Sequence, residues 1–145
     1  MSPAPQRSKS IATWLALLGG SLGLHRLYLY GTKDRWAWMH ALPTLAGAYG
    51  FWRMREFGTD DRLGSSLVPL LGAMLAATML VSIIYGLTPD ARWNVRFGGG
   101  PGAPKAPSGA GTIAGVILAL ALGATAAMAT IAFTAQRYFE WTTAR

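Results

Sequence analysis

"LGSSLVPLLGAMLAATMLVSIIYGLTP", residues 63–89, runs from Arg62 to Asp90 without one Lys, Arg, Asp, Glu or His. Crossing ~30 Å of hydrocarbon takes about 20 helical residues, so the stretch predicts a transmembrane helix. Pro69 falls near its start, where a missing N–H costs little, and Pro89 follows its end.

A second long run lies before Arg137. Its apolar part, "TIAGVILALALGATAAMATIAFTA" (112–135), predicts another spanning helix over 112–136, with a short tail over 137–145. Gly111, Gly115, Ala119, Gly123 and Ala127 recur every four residues along it. That spacing stacks small side chains on one helical face and admits another backbone closely. Intramolecular packing is the favoured use of this face, and contact with a second copy or another membrane protein the other.

Two stretches nearer the N-terminus are shorter. "IATWLALLGGSLGL" (11–24) spans only if its helix continues through "HRLYLY" to Tyr30. "WAWMHALPTLAGAYGFW" (36–52) holds His40 and Pro43, and a proline inside a membrane helix predicts a kink rather than a break. Trp36, Trp38, Tyr49 and Trp52 cluster at its two ends like an interfacial aromatic belt. Together they predict a tight helical hairpin over 11–57, preceded by a basic segment, 1–10.

The expected fold class is therefore all-α, an integral membrane protein of four transmembrane helices. Four crossings would place both termini on one face and the loop at 97–111 on the other. The cations then divide seven against six, and the first helix tips the termini toward the cytoplasm. Arg7 and Lys9 before an apolar run suggest a signal peptide, but "HRLYLYG" stands where a small-residue cleavage site belongs.

Composition agrees with a membrane chain. Of 145 residues 52% are hydrophobic and 13% charged, against roughly 25% charged in a soluble domain. The net charge of +7 is spread singly or in pairs between apolar segments, which argues against nucleic-acid binding. The lipid bilayer is the expected partner. Absence of cysteine excludes disulfides and thiolate chemistry. Between the two longer spans, 90–111 combines an amphipathic piece with a Gly/Pro linker. "TPDARWNVRF" (88–97) mixes Trp93 and Phe97 with Arg92 and Arg96, as expected at the headgroup level. "FGGGPGAPKAPSGAG" (97–111) has almost nothing to bury and lacks the G-K-[ST] ending of a phosphate loop.

"RSKSIATWLALLGGSLGLHRLYLYG" (7–31) resembles the start of the TM2 domain, a two-helix membrane module. The match falls on Gly20, Gly23, His25, Arg26, Tyr28 and Leu29, and "TLAGAYGFW" (44–52) is similar to the module's second helix. Leu27 stands where the family has phenylalanine, Tyr30 delays the following glycine to Gly31, and the usual aspartate after the second helix is replaced around Arg53 to Glu56. The resemblance covers residues 7–55. It implies a bacterial inner-membrane setting and carries no established biochemistry.

No catalytic pattern emerges. His25 and His40 lie on different segments without H-x-x-x-H or H-E-x-x-H spacing, and Asp60 and Asp61 are adjacent, which is poor geometry for a shared acid–base centre. No catalytic, cofactor or metal residue is expected. The function expected is that of a structural or interaction component of the membrane, with a small transporter or channel-like oligomer as the alternative. Three uses of His25 and Arg26 remain: amphipathic anchoring at the interface, pairing of Arg26 with Asp34 or Asp61, and a ligand, lipid or proton site on His25.

Overall fold

The computed structural model describes residues 6–98 and 109–143, and the described residues form helices without strands. Helix α1 spans Lys9–Gly19, a single 3-10 turn covers Gly20–Leu22, and α2 spans Leu24–Tyr30. Then follow α3 (Arg35–Phe57), α4 (Arg62–Leu87), α5 (Asp90–Phe97) and α6 (Ala110–Thr143). Three starts are capped by side chains that accept otherwise orphaned backbone N–H groups: Ser8 for α1, Asp34 for α3 and Asp61 for α4. Most of the stretch expected as a Gly/Pro linker, 99–108, lies outside the described residues.

Two helices, α4 and α6, are long and apolar enough to cross a membrane, with mean hydropathy of 2.3 and 2.2 over their most apolar 18 residues. Only 17% and 6% of those windows are buried, so neither is the core helix of a water-soluble fold. Large apolar side chains such as Leu80, Ile84, Leu87, Ile117 and Ile131 point outward. The fully buried side chains are instead polar or small: His25, Thr13, Thr78, Thr112 and Ser82. Burial driven by water would produce the reverse. Among the described residues these two helices alone have that length and apolarity, so four crossings find no support.

The helix expected to continue from Ile11 through Tyr30 is broken. It turns back at glycine: Gly23 has φ +81° and donates its N–H to the Gly20 carbonyl at 2.8 Å, a left-handed stop that disfavours residues with a Cβ. A Cβ on Gly23 would also collide with the Ala37 carbonyl oxygen. The 11-residue α1 rises only about 16 Å, half a hydrocarbon core. Its far end meets the middle of α4, where Gly20 abuts Thr78, and that of α3, where Thr44 Oγ1 donates to the Ser21 carbonyl at 2.6 Å.

From there α2 returns to the start of α1. The Ser8 N–H donates to the Tyr28 hydroxyl at 2.8 Å, and both legs reach α5: Arg7 N–H donates to the Phe97 carbonyl, Trp93 Nε1 to the Arg7 carbonyl at 2.8 Å, and Arg96 to the Tyr30 hydroxyl at 2.9 Å. Residues 9–30 thus form a hairpin that enters and leaves at one end of the bundle. Helix α3 leads away from that end, α4 returns to it, and α6 leads away again. The first and last described residues therefore lie at opposite ends, whereas four crossings required one.

Small residues bring the helices together. Gly47 and Gly50 of α3 lie against Leu71 and Leu67 of α4, Gly72 of α4 against Thr130 of α6, and Gly86 against Val116. Ser82 Oγ donates to the Thr13 carbonyl at 2.9 Å, a buried bond between α4 and α1. Such contacts suit association in lipid, where apolar burial supplies no net drive and close approach and interhelical hydrogen bonds take its place. Helix α3 runs unbroken through Pro43.

Candidate functional site

Helix α2 is seven residues long, and its faces are set by four-residue spacing. His25 and Leu29 point into the bundle. Arg26 and Tyr30 share the next face, with the guanidinium 5.0 Å from the ring centroid. Arg26 Nε donates to Asp34 Oδ2 at 2.7 Å, while Asp34 Oδ1 accepts the Trp36 N–H at 3.1 Å. One carboxylate therefore clasps α2 and starts α3. The Arg26 hydrogen bond, helped by the Trp36 N–H, holds the Asp34 carboxyl below its ordinary value of 3.8 against the opposing effect of desolvation. Asp61, the other partner considered for Arg26, belongs to Arg53 instead.

His25 is no interfacial anchor, being 1% exposed. Its ring meets that of His40 edge-on at 5.4 Å and that of Tyr85 at 5.8 Å, while its Nδ1 has no hydrogen-bond partner. His40 Nδ1 lies 2.6 Å from the Trp36 carbonyl. A carbonyl only accepts, so that nitrogen carries the hydrogen. His40 also lines a cavity of about 250 Å³ between α3 and α4, together with Met39, Met74 and Thr78. Among the described residues, no three His, Asp or Glu side chains converge as a metal site.

The other motif residues hold the hairpin. Gly20 and Gly23 make its turn, and Tyr28 ties its legs, with the Arg7 guanidinium 5.1 Å from the ring. On α6, Gly115 faces Thr13 and Trp14, Ala119 is fully buried, and Gly123 faces Met79. Ala127 is half-buried, and Gly111 meets nothing at its Cα but offers its carbonyl to Trp14 Nε1 at 3.0 Å. The central part of this face is used within the chain. In α5, Trp93 turns inward onto Tyr85 and Phe97, with ring centroids 5.6 and 4.8 Å away.

The Arg26–Asp34 pair has a counterpart in Arg53–Asp61, and both belong to a repeat in the sequence that the reading above did not include. "LGGSLGLHRLYLYGTKDR" (18–35) aligns without gaps on "LAGAYGFWRMREFGTDDR" (45–62), pairing Gly20 with Gly47, Gly23 with Gly50, Arg26 with Arg53, Gly31-Thr32 with Gly58-Thr59 and Asp34-Arg35 with Asp61-Arg62. The geometry repeats too. Arg53 Nε donates to Asp61 Oδ2 at 2.7 Å and stacks 4.9 Å from Phe57, as Arg26 does on Tyr30. Asp61 accepts the Gly64 N–H at 3.0 Å and caps α4. Comparing the chain with itself at a shift of 27 residues finds the pattern.

No family model, no curated protein and no solved structure matches this chain.

Proposed function

We propose that this chain is a multi-pass membrane protein, built of three crossing helices and one re-entrant hairpin, that acts as a structural or interaction component of the membrane rather than as a catalyst. The carrying observation is the outer face of the bundle, where large apolar side chains of α4 and α6 point outward while Thr13, Thr78, Ser82, Thr112 and His25 are buried beside a small apolar core. Helices α3, α4 and α6 cross. The hairpin of α1 and α2, which holds the residues resembling the TM2 domain, dips to mid-depth, a course allowed because its backbone is buried in protein.

The charges give this arrangement a direction. At the α5 end lie Arg7, Lys9, Arg26, Lys33, Arg35, Arg92 and Arg96, against Arg53, Arg55, Arg62 and Arg137 at the other end among the described residues. Positive residues favour the cytoplasmic side. The N-terminus and α5 therefore face the cytoplasm, in keeping with a bacterial inner membrane, and the end of α6 faces the opposite side.

A transporter or channel-like role is favoured by one observation, the buried and unpartnered Nδ1 of His25 within a re-entrant hairpin. Ionisable groups inside a bundle commonly mark pathways. Proton and cation flux in liposomes carrying the purified chain separates the two readings. Flux at the level of protein-free vesicles, with a discrete photo-crosslinked partner in native membranes, is the expected result. Flux abolished by His25→Asn would establish the alternative.

A further inference from the structure

At the cationic end, a cavity of about 340 Å³ opens between α2, α4 and α5, lined by Tyr30, Ile84, Tyr85, Arg92, Trp93 and Arg96 among others. Its rim is basic and its floor apolar. Arg96 is bonded to the neutral Tyr30 hydroxyl and stacks 5.3 Å from the Phe97 ring. The two carboxylates of this end are engaged elsewhere, Asp34 by Arg26 and Asp90 by Lys9. A guanidinium offers five N–H donors in a planar fork, so Arg96 retains donors beyond the one given to Tyr30. Below the rim, Leu80, Ile84 and Leu87 form an exposed ladder down α4 from the cavity.

We propose that this cavity binds an anionic phospholipid, its phosphate held by Arg92 and Arg96 and its acyl chains laid along Leu80, Ile84 and Leu87. Charge and shape both select this occupant. A guanidinium matches a phosphate through paired, charge-assisted hydrogen bonds, and the exposed Tyr30 supplies an amphipathic ring that suits the headgroup level. A free phosphate would fill the rim and leave the apolar floor and ladder uncovered. The site lies at the cytoplasmic leaflet if the proposed orientation holds, and anionic lipid in that leaflet attracts juxtamembrane arginines.

The inference rests on the membrane reading but not on the crossing pattern, so binding is measured on the full chain in detergent micelles. Native mass spectrometry with equal amounts of phosphatidylglycerol and phosphatidylcholine should show phosphatidylglycerol retained preferentially. Arg92→Gln with Arg96→Gln should lower that retention by about tenfold or more, the order expected for two arginines at an anionic lipid. Arg92→Gln alone, which spares the Tyr30 bond, should give a smaller loss in a protein with unchanged unfolding temperature. Arg55→Gln with Arg62→Gln, the same charge change at the other end, should leave retention intact. Equal retention of the two lipids, an unaffected Arg92/Arg96 double variant, or equal loss from the Arg55/Arg62 pair would overturn the site. Displacement by millimolar inorganic phosphate as complete as that by added phosphatidylglycerol would do so too, by revealing a simple anion site.

Discussion

The two copies of the repeated segment, 18–35 and 45–62, share three glycines, an arginine and an aspartate, yet one breaks a helix and the other does not. In the first copy Gly20 lies in the 3-10 turn and Gly23 is left-handed; in the second, Gly47 and Gly50 sit inside the continuous α3. Neighbours account for the difference. The first copy has Gly19-Gly20 followed by serine, and its turn nests against the Ala37 backbone. The second has Ala46 in place of Gly19 and uses its glycines to seat α4, whose Leu67 and Leu71 fill the space that a Cβ would need. What is common to both is the Arg–Asp clasp after the glycines, once at each end of the bundle. A single motif can therefore make a turn or a helix contact while keeping the same joint to the next helix.

The largest effect should come from Gly23→Ala. It adds left-handed strain of about 1–2 kcal/mol to a collision with backbone that cannot move aside, and overpacking costs about 1–3 kcal/mol more. Unfolding in detergent should show the combined loss. Gly50→Ala in the second copy keeps a helical backbone and meets the Leu67 side chain and the Gly64 carbonyl, so only the overpacking part, roughly 1–3 kcal/mol, is expected. Equal losses at the two positions would mean that the left-handed turn contributes nothing of its own.

Acid tests what the copies share. Hydrogen bonds from Arg26 and Arg53 hold the Asp34 and Asp61 carboxyls below 3.8, since they favour the ionised form. A carboxyl with a lowered pKa stabilises the fold above its ordinary value and loses that contribution as pH falls through the lowered one. Between pH 5 and pH 2 the unfolding temperature should therefore fall more steeply in the wild type than in Asp34→Asn with Asp61→Asn. Parallel profiles would remove the clasps from the account.

The smallest effect belongs to the α6 ridge, whose glycines contrast with those of the hairpin. Gly111→Ala meets open space and should change stability by no more than about 1 kcal/mol, the scale of the helix propensity difference. Gly123→Ala would place its Cβ 2.7 Å from that of Met79 and should cost roughly 1–3 kcal/mol. Similar outcomes at the two positions would dissolve the distinction between the open end and the packed middle of the ridge.

Helices α4 and α6 were legible because length without charge is a sufficient signal for them. The hairpin was not, because residues 11–30 have enough apolar length to cross if their helix is continuous. Gly19-Gly20-x-x-Gly23 is also a helix-stop pattern, and only the contact with Ala37 decides between the two. At the site, His25 and Arg26 stood out as polar residues after an apolar run, and Asp34 was one of two partners considered for Arg26. Tyr85 could not be associated with them from sequence, since it lies far along the chain and reaches His25 only through tertiary packing.

Whether residues 9–30 cross or return is tested most directly by labelling. The chain has no cysteine, so single substitutions can be introduced without background, at Gln6, Thr32, Thr59 and Thr142. In sealed vesicles of one orientation, treated with a membrane-impermeant maleimide, Gln6→Cys and Thr32→Cys should share one accessibility and Thr59→Cys and Thr142→Cys the opposite one. Gln6→Cys and Thr32→Cys labelled from opposite faces would contradict the re-entrant hairpin and restore a fourth crossing.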